Sequence, residues 1–165
     1  MLDEEVSPSP DVERTLRAAG WAPDRVVDTS KWVEQLRKDG NEVFPLAEAI
    51  LQHFGGLRFV DDRPPRPTRH DFQIDPLPWF GEGDRLEDIE AVTGARACPL
   101  GETSGAAMLA VLDDGRIIAD LDGCILQLAT TWREALDNLV LGRAEDVLLA
   151  EDYDKPVEPP RPWRP

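Results

Sequence analysis

His53 and His70 are the side chains of this chain that ordinarily titrate nearest neutral pH, so acid–base chemistry would start from them. His53 follows Gln52 on the polar side of an apolar stripe holding Ile50 and Phe54, and His70 stands beside Asp71 in a run of arginines and prolines. Neither has a partner at the His-x-x-x-His spacing a metal requires, which reads as solvated surface histidine. Ser104, in Gly101-Glu102-Thr103-Ser104-Gly105, lacks the single-residue spacing to both flanking glycines that exposes a nucleophile, and the segment reads as a turn. Gly81-Glu82-Gly83-Asp84 opens a helix as a phosphate loop would, yet places two carboxylates where the phosphate would sit. Carboxylates recur at Asp61-Asp62, Glu87-Asp88, Asp113-Asp114, Asp120, Asp122, Asp137 and Glu145-Asp146. Two of them meeting in a cleft could serve as general acid and base. No calcium-loop array is present. Cys98 and Cys124 read as buried free thiols, too few for a disulfide framework. No catalytic residue, metal or cofactor is therefore assigned, and the chain is not read as an enzyme. Three carboxylates or histidines converging in one concavity would favour the rival reading of an acid-based hydrolase.

Charge points instead to binding. The net charge is −15, and residues 73–150 carry 15 acidic and five basic side chains, whereas residues 9–56 net −2 and 57–72 net +1. A field of that sign repels nucleic acid and anionic lipid and speeds the encounter with basic partners. Acidity also keeps a protein soluble, and that reading stands beside the first. The candidate partner-binding residues are Trp79, Glu82, Asp84, Asp113, Asp114, Asp120 and Asp122. Trp79 lies among Pro76, Pro78 and Gly81, where an exposed indole amid acids has the composition of a protein-binding hot spot. The alternative is a ring folded back onto the core. Trp163 is a docking handle or has no role.

The elements that would position these groups are legible from periodicity. Pro10 to Ala19 predicts a helix with Ser9 as cap and Val12, Leu16 and Ala19 on its inner face, ended by Gly20. Asp28 caps a second helix with Trp32 and Leu36 inward and Gly40 as its stop. A third, from Pro45, buries Ala47, Ile50, Leu51 and Phe54 and stops at Gly55-Gly56. The period then changes, and Leu57–Val60 and Phe72–Ile74 read as short strands. Three prolines make 61–71 a loop. Residues 84–93 form a short helix with Leu86, Ile89 and Val92. Strands at 106–112, 116–121 and 125–129, separated by Asp113-Asp114-Gly115 and Asp122-Gly123, form a meander. Thr130 or Thr131 caps a closing helix whose inner face is Trp132, Ala135, Leu136, Leu139 and Val140. Val147–Leu149 is one further apolar anchor. The expected organisation is a disordered N-terminus over 1–8, a single α+β domain over 9–150, and a mobile Pro-rich tail over 151–165. No run is apolar enough to span a bilayer, and Asp3, Glu4 and Glu5 stand where a signal peptide is basic, so a cytoplasmic protein is expected.

The order Leu16…Gly20-Trp21…Pro23…Arg25…Trp32…Leu36…Gly40, then Leu51…Phe54-Gly55-Gly56-Leu57, resembles the third branch of the SUKH immunity-protein superfamily. Thr93-Gly94 to Cys98-Pro99-Leu100-Gly101-Glu102, Asp114-Gly115-Arg116-Ile117 and Glu134-Ala135-Leu136-Asp137-Asn138-Leu139…Gly142 extend the likeness over about residues 12–143. The Pro/Arg loop and the tail after Arg143 depart from that pattern. The resemblance implies a mixed or antiparallel sheet with flanking helices. It also implies an immunity protein that binds and neutralises a bacterial toxin, often a nuclease, inside the producing cell. Its shared residues, Gly20, Trp21, Arg25, Trp32, Phe54, Gly55, Gly56, Leu57 and Gly101, are fold-making and carry over no active site. A basic toxin fits the acidic half. The expected protein is a monomer, with no nucleic-acid or membrane partner. An intracellular adaptor of the same fold, unrelated to toxins, is the competing reading.

Overall fold

A computed structural model describes residues 4–60, 71–103 and 106–164. Most of the Pro/Arg loop, with His70, and Ser104 lie outside the described residues. Three helices come first: α1 (Pro10–Ala18), α2 (Ser30–Lys38) and α3 (Pro45–Phe54). Strands β1 (Arg58–Phe59) and β2 (Phe72–Gln73), a 3-10 turn (Leu77–Trp79) and α4 (Gly83–Thr93) follow. Then come β3 (Ala97–Thr103), β4 (Ala107–Leu112), β5 (Ile117–Leu121), β6 (Cys124–Ala129), α5 (Trp132–Leu141), β7 (Val147–Asp152) and β8 (Lys155–Pro162). The eight strands pair in sequence order, every neighbour antiparallel, in one sheet. The α+β class, the leading helices and the closing helix are as the sequence implies.

The middle of the sheet is buried on both faces, which is why β4 is an unbroken apolar run. Ala107, Leu109 and Val111 join a large core with Val12, Leu16, Leu36, Ile50, Phe54 and Trp132 from α1, α2, α3 and α5. Met108, Ala110 and Leu112 turn the other way, to Leu86 and Ile89 of α4 and to Trp79. Burial of such side chains contributes roughly 1.5–3 kcal/mol each. On α2 Leu36 is in the large core and Trp32, half-buried, packs against it, while Val33 is buried as well.

The fold-making residues act together around the end of α3. Gly20 (φ +100°) stops α1 in the left-handed region, and Trp21 behind it stacks on Phe54 with ring centroids 6.0 Å apart. Phe54 meets Trp132 edge-on at 5.2 Å. Arg25 donates from its two terminal nitrogens to the carbonyls of His53 (3.1 Å) and Gly55 (2.7 Å), satisfying acceptors that the end of a helix leaves open. His53 is half-buried, not solvated, because its Nδ1 lies 2.8 Å from the Arg25 carbonyl oxygen. A Cβ on Gly55 would stand 2.3 Å from the Leu51 carbonyl oxygen and 2.5 Å from the Trp32 ring. Gly56 (φ +77°) turns the chain and donates to the Ile74 carbonyl, and the buried Leu57 starts the sheet. At Gly101 a Cβ would lie 1.9 Å from the Gln73 carbonyl oxygen, so only glycine lets β2 approach β3.

Three sequence expectations change. The stretch around Gly101 is a strand, β3, and not only a turn; Pro99 hid it, yet β2 covers only Glu102 and Thr103, so Pro99 has a strand neighbour on one side alone. Within residues 4–8 the chain is anchored at Val6, 1% exposed in the large core, while Glu4 and Glu5 stay exposed. The tail contains β8, an edge strand in which Pro156, Pro159, Pro160 and Pro162 lie, and Val157 and Trp163 pack against the core. Prolines exclude an interior strand but suit an edge with no further strand to bond.

Candidate functional site

Antiparallel pairing separates residues that the sequence places close together. β4 and β5 run in opposite directions, so Asp113 and Asp114 stand in a turn at one end of the sheet and Asp122 in a turn at the other. The five residues of β5, at about 3.4 Å each, hold these turns roughly 15 Å apart. The seven candidate residues therefore do not make one surface.

At the first end the charge is compensated. Arg96 Nε donates to Asp113 at 3.0 Å, and its guanidinium also reaches Glu42. Arg116 Nε donates to Asp114 at 2.8 Å, and this bond holds the Asp114 carboxyl below its ordinary range against a smaller opposing effect of burial. Asp113 and Asp114 are exposed, as expected of turn acids, but each faces its own arginine.

At the second end two candidates are corrected from surface to interior. Trp79 is 7% exposed, because its indole N–H donates to the Gly101 carbonyl at 2.6 Å and its ring is covered by the Arg85 guanidinium at 5.0 Å. Asp120 is 2% exposed and lies under α4, accepting from Arg85 Nε at 2.8 Å and from the Gly123 N–H at 2.8 Å. It points to the α4 face because its neighbours Ala119 and Leu121 take the opposite side of β5. Burial tends to lower the Arg85 guanidinium, but the hydrogen bond and charge of Asp120, with Asp122 and Glu82 behind it, raise it above its ordinary value. Trp79, Arg85 and Asp120 thus brace the first turn of α4 against the β5–β6 turn.

Glu82, Asp84 and Asp122 are exposed at this end. The structure brings further acids beside them from α4 and from the β7–β8 turn. Burial, followed by repulsion from Asp154, Asp120 and Asp84, pushes the Asp88 carboxyl up. Burial, then Glu151, Asp120 and Asp122, pushes the half-buried Cys124 thiol up as well. Cys98 on β3 is fully enclosed, and burial pushes its thiol up to about 12. Glu151 pairs with Arg161 and Asp152 with Lys155. Glu82, Asp84, Asp88, Asp122 and Asp154 form no ion pair among the described residues. The acids at 151–154 escape a sequence reading that ends the domain at residue 150. The available signal was the apolar run Val147–Ala150, long enough for a strand and followed by Tyr153-Asp154.

Three carboxylates do meet in one concavity, a depression of about 420 Å³ where Glu134, Asp137 and Glu145 join Asn138 and Arg143. Two of them are engaged in making the fold. Glu134 accepts from the Thr130 hydroxyl (2.5 Å) and N–H (3.1 Å), which holds its carboxyl below the ordinary range, the opposite of what a general acid needs. Asp137 accepts from the Ser9 hydroxyl and from Arg143 at 3.1 Å. Among the described residues no three His, Cys, Asp or Glu side chains are grouped to hold a metal ion. No helix among them is long and apolar enough to cross a membrane.

A family model described as SUKH-3 immunity protein matches residues 8–142. No curated protein and no solved structure matches the chain.

Proposed function

The chain belongs to the SUKH-3 immunity protein family, and on that premise we propose that it neutralises a basic, nuclease-type toxin by stoichiometric binding at the acidic end of its sheet. The observation that carries this reading is the gathering of Glu82, Asp84, Asp88, Asp122 and Asp154 from α4 and two adjacent turns, none of them in an ion pair among the described residues, while the cations beside them, Arg85 and Lys155, are paired with Asp120 and Asp152. Carboxylates presented together occupy a surface built to receive phosphates, and their summed field raises the encounter rate. Interfacial charge of this kind sets specificity and association rate, with buried side chains supplying most of the affinity. Asp113 and Asp114 play a smaller part in this reading, since Arg96 and Arg116 already neutralise them.

The test is co-expression with a candidate nuclease-type toxin domain, sought among the reading frames that adjoin this gene, followed by purification and binding kinetics. Restored growth, a 1:1 complex and an association rate that falls steeply between 50 and 500 mM salt are the expected outcomes, since screening shortens the reach of the field to about 8 Å at physiological ionic strength. Unrelieved toxicity would refute immunity. A salt-independent association rate would refute the acidic surface.

A further inference from the structure

Tyr153, the chain's only tyrosine, is one of the few large hydrophobic side chains left exposed among the described residues, at 47%. It stands first in the two-residue turn between β7 and β8, flanked by Asp152 and Asp154, and its backbone is left-handed at φ +53°. That position suits Gly, Asn or Asp and strains an aromatic residue, so turn chemistry does not call for tyrosine. Neither core cluster includes its ring. Folding leaves the residue unexplained.

The surroundings hold the ring in place. The Tyr153 N–H donates to the Gly123 carbonyl at 2.9 Å. A Cβ on Gly123 would meet Cδ1 and Cδ2 of the ring at the same 3.3 Å, so the ring lies flat on the glycine and turns its other face outward. Gly123 is in turn fixed by Asp120, which Arg85 anchors from α4. An aromatic face held in this way loses little freedom on binding. Asp122, Asp152 and Asp154 belong to the two turns that meet at the ring, and Asp84 and Asp88 lie on the facing part of α4. Lys155, two residues on, is taken by Asp152.

We propose that the outward face of Tyr153 is the docking point for an arginine side chain of the protein partner, with Asp122 and Asp154 receiving its N–H groups. Guanidinium is favoured over ammonium because it is planar, stacks on a ring and presents several donors at once. The assignment rests on the immunity reading for the partner's identity, but not for the chemistry of the site.

Two measurements separate them. In the first, wild type, Tyr153→Asn and Tyr153→Phe are compared for protection against the candidate toxin domain and for affinity. Asn suits the left-handed turn and removes the ring, whereas Phe keeps the ring face. Tyr153→Asn is expected to weaken binding at least about 10-fold with an unchanged melting temperature, and Tyr153→Phe to stay within about 3-fold of wild type. Protection by wild type together with undiminished affinity of Tyr153→Asn overturns the docking point and leaves immunity standing. In the second, 3-fluorotyrosine is incorporated at the single tyrosine, and its one fluorine resonance is followed during titration with tetra-arginine amide or tetra-lysine amide. A saturable shift, larger for arginine and abolished by Asp122→Asn with Asp154→Asn, is expected. If wild type gives no protection, immunity fails and this titration alone decides the site. An unmoved resonance, or equal shifts from the two peptides, overturns it.

Discussion

Removing either partner of the Arg85–Asp120 pair should destabilise the protein by unequal amounts, because the two ends are unequally buried. The Asp120 side chain is 3% exposed and that of Arg85 is 21% exposed. Arg85→Met leaves a carboxylate under α4 with the Gly123 N–H as its remaining donor, and a stranded buried charge costs about 3–4 kcal/mol. Asp120→Asn retains an oxygen for Gly123, while the freed guanidinium, resting on Trp79, can reach water and Asp122. The loss is then one charge-assisted hydrogen bond, about 1.5–2 kcal/mol. The double variant has no buried charge to strand and should fall by about 2–3 kcal/mol, well short of the sum. Urea unfolding at pH 7, followed by tryptophan fluorescence, reads these differences; for Arg85→Met the midpoint should drop by about 2 M. Raising the salt to 0.5 M should change the gaps little, since the pair is shielded from ions. Equal single losses, or additivity within about 0.5 kcal/mol, would refute the account of Asp120 as a charge held in place by one arginine.

Gly55→Ala should lower stability by about 2–3 kcal/mol, because its Cβ meets a backbone oxygen at 2.3 Å as well as the Trp32 ring; a loss below about 1 kcal/mol in urea unfolding would remove the close approach as the reason for glycine. Gly56→Val should cost at least about 1 kcal/mol from its left-handed backbone alone, and a neutral result would remove the turn argument. Deleting residues 155–165 strips β8 and the packing of Val157 and Trp163 from the sheet, so the melting temperature should fall by about 5–10 °C; an unchanged midpoint would make the tail dispensable. The Glu134 carboxyl is held low by Thr130, so its contribution is complete above the unfolded value near pH 4.5 and disappears as pH falls through the lower folded value. Glu134→Gln should therefore be about 0.5–1 kcal/mol less stable at pH 7 and converge on wild type in acid, and a gap that persists at pH 3 would contradict the sign.

Local physics was open to a reading of the chain alone. The helix stops at Gly20, Gly56 and Gly142 all have left-handed backbones, the capping Thr131 accepts from the Glu134 N–H, and Asp122-Gly123 is a two-residue hairpin turn, because each depends on neighbours within a few residues. The family resemblance around Phe54-Gly55-Gly56-Leu57 was likewise legible, and the matched residues 8–142 agree with it. Everything that depended on which end or face of the sheet a residue occupies was decided only by tertiary structure. Asp113 and Asp122 are nine positions apart and lie at opposite ends, because one antiparallel strand separates them. Asp120 resembles Asp122 in sequence but is buried, since strand alternation turns it under α4, where Arg85 waits 35 residues upstream. Prolines that marked the tail as loose are compatible with a strand once that strand is an edge, and whether a strand is an edge is a property of the whole sheet. Tyr153 could not be singled out for the same reason: its platform, Gly123, is 30 residues away and reaches it only through the pairing of β6 with β7.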